Sequence, residues 1–233
     1  MKRESKSMTS SLERRLNSYA LAASAAGVSM LALAQPAEAR IIYTPANVTI
    51  GYGGVPSYNL HLNHDGATDF VIHTGITGSS YPYLRAFANT SARGAGIEFK
   101  GHSDSAAALY RGARIGPKQG FDTCCFAGLV AVYSAGGRVV EVGNWLNVRN
   151  RYLGLKLLIK GKTHYGWARL NVSVRARNGV NITATLTGYA YETIPNKPII
   201  AGKTHGKDVV TVQPASLGAL AAGANGLHRW RQK

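Results

Sequence analysis

The chain has 233 residues, of which 27 are lysine or arginine and 11 are acidic, so its formal net charge is +16. Its 45% hydrophobic content excludes a disordered chain, and the lack of any run of about 20 uninterrupted apolar residues excludes a bundle of transmembrane helices. The 27 glycines and 12 tyrosines favour strands and tight turns, and the presence of only two cysteines excludes a disulfide scaffold.

The first 39 residues have the three parts of a secretory signal peptide. A basic segment precedes an apolar one over residues 19–34, and Ala37 and Ala39 occupy the small-residue positions before a cleavage site. We expect cleavage after Ala39 and export of the remainder to the extracellular space or the cell envelope. An uncleaved anchor and twin-arginine export through Arg14 and Arg15 are the alternatives.

Short strand patterns separated by glycine-rich turns fill the first part of the domain predicted over residues 40–201. The one helical pattern in this part, Ser105 to Arg111, is long enough for about two turns at most. The strand candidates are Ile41–Tyr43, Val48–Ile50, Tyr58–Leu62, Asp69–His73, Tyr83–Ala88, Gly96–Lys100, Leu129–Tyr133 and Val139–Val142.

Three longer strands follow, each with one apolar face of period two. They are Tyr152–Ile159, Tyr165–Val174 and Ile182–Tyr191. Lys160-Gly161-Lys162 predicts the turn between the first two, and Asn178-Gly179, a strong hairpin signal, predicts the turn between the last two. Many short strands with such turns predict an antiparallel β-sandwich, jelly-roll-like, with a closed antiparallel barrel as the alternative.

A candidate calcium loop lies between His61 and Phe70. Gly66 permits a sharp turn, and the pattern resembles the D-x-N-x-D-G-x-x-D loops of exported repeat and dockerin-type proteins, with His61 in place of the first aspartate. Calcium is the one candidate cofactor, but the missing first aspartate favours an ordinary turn at Asp65-Gly66. The predicted oxygen ligands are Asn63, Asp65, the carbonyl of Ala67, and Asp69.

Few residues indicate catalysis. Glycosidases need two close carboxylates, and Glu98 and Glu141 are the candidates for a secreted carbohydrate-active enzyme on a β-sandwich scaffold. The adjacent Cys124 and Cys125 predict either two small buried residues or a thiol–disulfide switch in an oxidising compartment.

Basic residues crowd the region of the last hairpins. Such a cluster attracts polyanions, and export makes an acidic polysaccharide or the anionic cell surface the expected partner rather than nucleic acid. A solvated basic surface that keeps the protein soluble is the alternative. The predicted polyanion-binding residues are Arg149, Arg151, Lys156, Lys160, Lys162, Arg169, Arg175 and Arg177.

A polar linker is predicted over residues 202–214, and a weakly hydrophobic tail with a basic end over residues 215–233. The run from Pro214 to Leu220, followed by Trp230-Arg231, resembles the C-terminal sorting tail of bacterial PEP-CTERM proteins, with Val212-Gln213-Pro214 in place of their Pro-Glu-Pro signature. The resemblance implies processing by an exosortase, which is a sorting protease, and a link to cell-envelope and exopolysaccharide material. A disordered end is the alternative.

Segments of the body are similar to uncharacterised exported bacterial proteins that carry such tails. These segments are Gly154–Ile159, Thr163–Leu170 and Gly188–Thr193. The resemblance implies an exported location and no particular activity. We therefore predict a cell-envelope or extracellular-matrix protein of a bacterium with a non-catalytic binding or structural role, and the secreted carbohydrate-active enzyme is the alternative.

Overall fold

The computed structural model describes residues 40–77, 81–89, 94–101, 105–123, 126–175 and 180–212. Several predicted features lie outside the described residues: the signal peptide with Ala37 and Ala39, the pair Cys124–Cys125, Arg177, the Asn178-Gly179 turn and the tail over residues 215–233.

The regular structure of the described residues consists of β-strands, as the strand patterns predict. In chain order they are β1 (Ile41–Gly51), β2 (Ser57–Leu60), β3 (Phe70–Thr77), β4 (Tyr81–Ala88), β5 (Gly96–Glu98), β6 (Arg114–Ile115), β7 (Phe121–Asp122), β8 (Ala127–Ala135), β9 (Arg138–Val142), β10 (Arg151–Ile159), β11 (Lys162–Arg175), β12 (Asn181–Glu192), β13 (Ile199–Ile200) and β14 (Val209–Thr211).

Two large open sheets and one small ribbon organise these strands. The seven-stranded sheet has the order β14-β1-β12-β11-β10-β5-β7, and the five-stranded sheet has the order β2-β3-β4-β8-β9. β6 and β13 form the ribbon, and the pairing is antiparallel except between β1 and β14. Because neither large sheet closes on itself, the predicted β-sandwich is confirmed and the barrel alternative is not adopted.

The turn between β10 and β11 follows the sequence prediction. Ile159 pairs with Lys162, which leaves Lys160 and Gly161 as a two-residue loop. Both loop residues have positive φ, 50° and 74°, as a type I′ turn requires. This turn places two lysines, Lys160 and Lys162, at the tip of the β10–β11 hairpin.

The main hydrophobic core lies between the two large sheets. The five-stranded sheet contributes Phe70 and Leu84, and the seven-stranded sheet contributes Leu155 and Leu170, all fully buried. The alternating residues of each strand point to opposite faces, so the next residues along β4 and β10 face away from this core. The sandwich therefore has two outer faces on which functional side chains can lie.

The outer face of the seven-stranded sheet is also covered. A second cluster of buried residues joins Tyr152 and Trp167 of the sheet to Ile115 of β6 and Ile199 of β13. The sequence pattern predicted one apolar face for β10 and β11, whereas the structure buries both. The extra cover comes from the β6–β13 ribbon, whose two strands are 84 residues apart in sequence between Ile115 and Ile199.

The predicted helix over Ser105 to Arg111 is wrong. Ala107 donates a main-chain hydrogen bond to Glu98, and Leu109 exchanges two with Tyr152. A helix of two turns is marginal on its own, and here the segment gains pairing with strand edges instead.

No helix among the described residues is of a length and apolarity that could cross a bilayer.

Two strand candidates and the predicted linker also differ in detail. Ile41–Tyr43 and Val48–Ile50 are parts of one strand, β1, which continues through a bulge between Pro45 and Val48. β14 lies within the segment predicted as a linker and pairs with the start of β1. The chain that follows the domain predicted to end at residue 201 thus contributes an edge strand.

Candidate functional site

The predicted calcium loop between β2 and β3 is closed by a buried carboxylate. Asp69 Oδ2 accepts hydrogen bonds from the main-chain N–H groups of Leu62 at 2.6 Å and of Asn63 at 3.4 Å. Burial raises the pKa of Asp69, and these two hydrogen bonds partly offset the rise. Asp69 therefore holds the first part of the loop against its end.

The exposed tip of the loop is held by side-chain turns. Asn63 Oδ1 accepts from the N–H of Asp65 at 3.2 Å, and Asp65 Oδ1 accepts from the N–H of Ala67 at 2.8 Å. The amide of Asn63 donates to Asp65 Oδ2 at 2.8 Å, and His61 Nδ1 lies 2.8 Å from the carbonyl oxygen of Ala67. The structure thus brings the four predicted ligands into one loop, where their oxygens are hydrogen-bonded within the loop.

Calcium binding by this loop stays a prediction. Within the described ranges, no three or more His, Cys, Asp or Glu side chains lie together in a group that could hold a metal ion. The hydrogen bonds of the loop match those of ordinary side-chain turns, which satisfy main-chain groups without an ion.

His64 connects the tip of the loop to the other sheet. Its φ of 62° lies in the left-handed region, which histidine adopts more readily than most residues. Its Nε2 lies 3.0 Å from Thr44 Oγ1 of β1, and its ring stacks on Tyr189 of β12 at 5.9 Å between centroids. Burial lowers the pKa of His64, and the neighbouring His61 adds to this effect.

A buried hydrogen-bonded chain continues from Thr44 through Tyr189 to Tyr58 of β2. Burial raises the pKa of Tyr189 to about 12, to which the neighbouring Tyr58 contributes, and burial also raises the pKa of Tyr58. Both phenols are therefore neutral at physiological pH. These hydrogen bonds join the two sheets, with Thr44 and Tyr189 buried, Tyr58 partly exposed and His64 exposed.

The predicted polyanion-binding residues do not form one patch. Lys160 and Lys162 lie at the tip of the β10–β11 hairpin, whereas Arg149 and Arg175 lie at its opposite end, and all four are exposed. β10 has nine residues, so these two pairs are about 30 Å apart along the hairpin.

Three other predicted basic residues, Arg151, Lys156 and Arg169, lie between these two pairs and contact other parts of the protein. The guanidinium carbon of Arg151 lies 3.4 Å from the ring centroid of Tyr110, and Lys156 Nζ lies 5.6 Å from that of Phe121. Arg169 donates to the hydroxyl and the carbonyl oxygen of Thr187, at 2.7 and 3.1 Å. Residues that are close in sequence are thus distributed along the length of a hairpin.

Glu98 and Glu141 lie in different sheets. Glu98 belongs to β5 and is 7% exposed, whereas Glu141 is exposed on β9 at the edge of the five-stranded sheet. Ile97 points into the main core, so Glu98 points to the outer face of its sheet. The structure does not bring these two carboxylates together.

Glu98 is buried beside a glycine of the neighbouring strand. A Cβ atom on Gly154 of β10 would lie 2.8 Å from Glu98 Cβ, so the absence of a side chain at Gly154 makes room for the glutamate. Burial raises the pKa of Glu98 to about 7. Glu98 Oε2 and Trp167 Nε1 are both buried and lack a hydrogen-bond partner among the described residues.

A cluster that the sequence reasoning missed lies on the outer face of the five-stranded sheet. Leu84 and Ala86 of β4 are buried in the core, so Tyr83, Arg85 and Phe87 alternate with them and point outwards. Antiparallel pairing brings β3 to one side of these residues and β8 to the other.

Arg85 is at the centre of this cluster. Its guanidinium carbon lies 4.1 Å from the ring centroids of both Tyr83 and Phe126. His73, the cross-strand partner of Arg85, has its ring centroid 5.8 Å from that of Tyr83 and 6.4 Å from that of Phe87. We call these five residues the aromatic–arginine face.

The electrostatics of this face favour an external anion. β2, β3, β4 and β8 contain no acidic residue, and within the described part of the chain Arg85 forms no ion pair. The five residues are partly exposed, and Tyr81 and Tyr133 on the same sheet are 37% and 39% exposed. A guanidinium held by two rings therefore keeps its N–H donors available to a bound anion.

Part of this face could be read from the sequence. Tyr83, Arg85 and Phe87 alternate along a predicted strand, which places them on one side of a sheet. Phe126 follows Arg85 by 41 positions in the sequence, and only the pairing of β4 with β8 brings the two residues together. Local alternation therefore predicts that Tyr83, Arg85 and Phe87 share one face of the strand, but it does not predict the contact of Arg85 with Phe126.

Comparison of this chain with models of protein families, with curated proteins and with solved structures finds no match.

Proposed function

We propose that this protein is an exported β-sandwich that binds acidic polysaccharide through the aromatic–arginine face, without catalysing a reaction. The observation that carries the proposal is the position of Arg85, which lies 4.1 Å from two aromatic centroids and has no carboxylate partner among the described residues. Charge complementarity selects an anionic ligand, and the open sheet face suits an extended polymer.

The aromatic rings and the arginine contribute different interactions. Tyr83, Phe87 and Phe126 offer apolar surface on which the carbon-bound hydrogens of a sugar ring can pack. Arg85 offers several N–H donors in a rigid plane, which match the oxygens of an acidic group. Neither contribution alone distinguishes an acidic sugar polymer from a neutral one or from a small anion, whereas their combination does.

The exposed basic residues of the β10–β11 hairpin contribute long-range attraction but not the binding site itself. Its exposed charges, Lys160 and Lys162 at one end and Arg149 and Arg175 at the other, add to the net charge of +16 that attracts a polyanion over a distance. Because they are spread over about 30 Å, they do not form a compact site.

The start of the domain tolerates cleavage after Ala39, which the proposed export requires. β1 begins at Ile41, so cleavage after Ala39 would leave the sheet whole. The main-chain N–H of Arg40 donates to Thr193 Oγ1 at 3.0 Å, and a new amino group at Arg40 would keep this hydrogen bond. An envelope or matrix location also supplies the acidic polysaccharide that the face is suited to bind.

The test compares two substitutions that each remove one positive charge. Arg85→Gln removes the arginine between the rings, and Lys160→Gln removes an exposed lysine at the hairpin tip. Binding of the purified protein to polygalacturonate is measured by calorimetry, with neutral dextran as the control polymer. We expect Arg85→Gln to weaken binding about tenfold, as the loss of a charged hydrogen bond does, and Lys160→Gln to weaken it by about twofold or less.

Two results would contradict the proposal. One is that the unaltered protein binds polygalacturonate no better than dextran. The other is that Lys160→Gln weakens binding as much as Arg85→Gln, which would assign the attraction to overall charge. Melting temperatures of both variants establish that they are folded.

A further inference from the structure

A notch in the sheet lies beside Arg85. In the β3–β4 pairing His73 is opposite Arg85 and Gly75 is opposite Tyr83, so these four residues form a block of two by two on the outer face. Three of the four carry hydrogen-bonding side chains. The fourth, Gly75, has no side chain, and the phenol of Tyr83 lies in the gap that this leaves.

The gap at Gly75 is explained by its surroundings and not by its backbone. Gly75 is not among the residues of positive φ, so its conformation does not require glycine. A Cβ atom at this position would lie 3.0 Å from His73 Nε2 and 2.6 Å from Tyr83 Cζ, and it would overlap the hydroxyl of Tyr83. The imidazole nitrogen and the phenol hydroxyl therefore converge over the same point.

We propose that this notch makes the face selective for uronic acid residues, that is, for sugars whose acidic group is a carboxylate. The inference rests on the proposed function and names its substrate class. Arg85 binds the carboxylate, and the Tyr83 hydroxyl and His73 Nε2 hydrogen-bond to the same sugar residue over Gly75. The three groups lie on adjacent positions of two paired strands, so one sugar residue can reach all of them.

The geometry around Arg85 favours a carboxylate over a sulfate. A carboxylate is planar and pairs with the guanidinium in one plane through two parallel hydrogen bonds. A sulfate is tetrahedral, so its remaining oxygens project out of that plane towards the rings of Tyr83 and Phe126, which are 4.1 Å from the guanidinium carbon. The faces of aromatic rings are electron-rich and repel such oxygens.

The test compares two polyanions of matched charge density at the same ionic strength, polygalacturonate and a lightly substituted dextran sulfate. We expect the unaltered protein to bind polygalacturonate about tenfold more tightly. Gly75→Ala, which displaces the phenol of Tyr83 from the notch, is expected to remove this preference by weakening polygalacturonate binding about tenfold while dextran sulfate binding changes by about twofold or less.

A second variant keeps the test decisive if Gly75→Ala lowers the melting temperature. Tyr83→Phe keeps the ring beside Arg85 and removes only the hydroxyl, so it should reduce the preference for polygalacturonate several-fold. Tyr133→Phe on β8 is the matched control, because Tyr133 lies on the same sheet with 39% exposure and outside the block, and it should leave both affinities unchanged.

The outcomes separate this inference from the function on which it rests. Equal affinity of the unaltered protein for the two polyanions would overturn the selectivity and leave polysaccharide binding intact. A preference that survives both Gly75→Ala and Tyr83→Phe would overturn the role of the notch. Failure to bind either polymer would overturn the proposed function itself.

Discussion

At the scale of single residues, the burial of Glu98 should make the free energy of unfolding of the whole protein depend on pH. Burial raises its pKa from 4.5 to about 7, so between these values the folded protein holds a proton that the unfolded chain releases. The free energy of unfolding should therefore fall as the pH rises from about 4.5 to about 7 and then level off. A shift of this size corresponds to about 3 kcal/mol.

The variant Glu98→Gln tests this effect, because an amide of the same shape does not ionise. We expect its free energy of unfolding to lose this decline between pH 4.5 and 7, so that at neutral pH it exceeds that of the unaltered protein. Chemical denaturation at a series of pH values measures the difference. Glu141→Gln is the matched control, since Glu141 is exposed, and a decline that persists unchanged in Glu98→Gln would contradict the account.

At the scale of elements, the loop between β2 and β3 depends on one of its two aspartates. Asp69 is buried and accepts the N–H of Leu62, whereas Asp65 is exposed and closes only the tip. We expect Asp69→Ala to lower the free energy of unfolding by about 2 kcal/mol, because it leaves a buried donor without a partner. Asp65→Ala should cost about 0.5–1 kcal/mol.

Thermal and urea unfolding of the two variants, repeated with calcium and with EDTA, distinguish a turn from an ion site. A loop that its own hydrogen bonds stabilise should give the same ranking in both solutions. The opposite finding, a calcium-dependent rise in melting temperature that Asp65→Ala abolishes, would establish calcium binding and change the assignment of this loop.

The strands illustrate what the sequence reveals about elements and what it does not. Alternation predicted β10, β11 and β12 closely, and Lys160-Gly161 predicted the turn between the first two, because both signals are local. The cover over Trp167 was not predictable, since it comes from two-residue strands too short to carry a pattern.

The same limit applies to the candidate site. The eight basic residues were grouped because they are close in sequence, but a hairpin separates neighbours in sequence along its length. Arg85 and Phe126 are far apart in sequence, and the pairing of β4 with β8 brings them together. Pairing between distant strands therefore determines the site, and local patterns do not encode it.

At the scale of the whole molecule, the outer faces of the two large sheets differ in whether other strands cover them. The outer face of the seven-stranded sheet is covered by the β6–β13 ribbon, whereas that of the five-stranded sheet carries the aromatic–arginine face with no acidic residue on β2, β3, β4 or β8. A net charge of +16 would attract a polyanion to any part of the surface, so the proposal assigns the place of binding to the open sheet.

The most direct test is to map the bound polymer on the protein. Amide chemical shifts of the 24.8 kDa chain are recorded by NMR during titration with short oligogalacturonates. The account predicts that the largest changes occur on β3, β4 and the start of β8, around Arg85. Changes confined to the β10–β11 hairpin near Lys160 and Lys162, or no changes at saturating ligand, would contradict it.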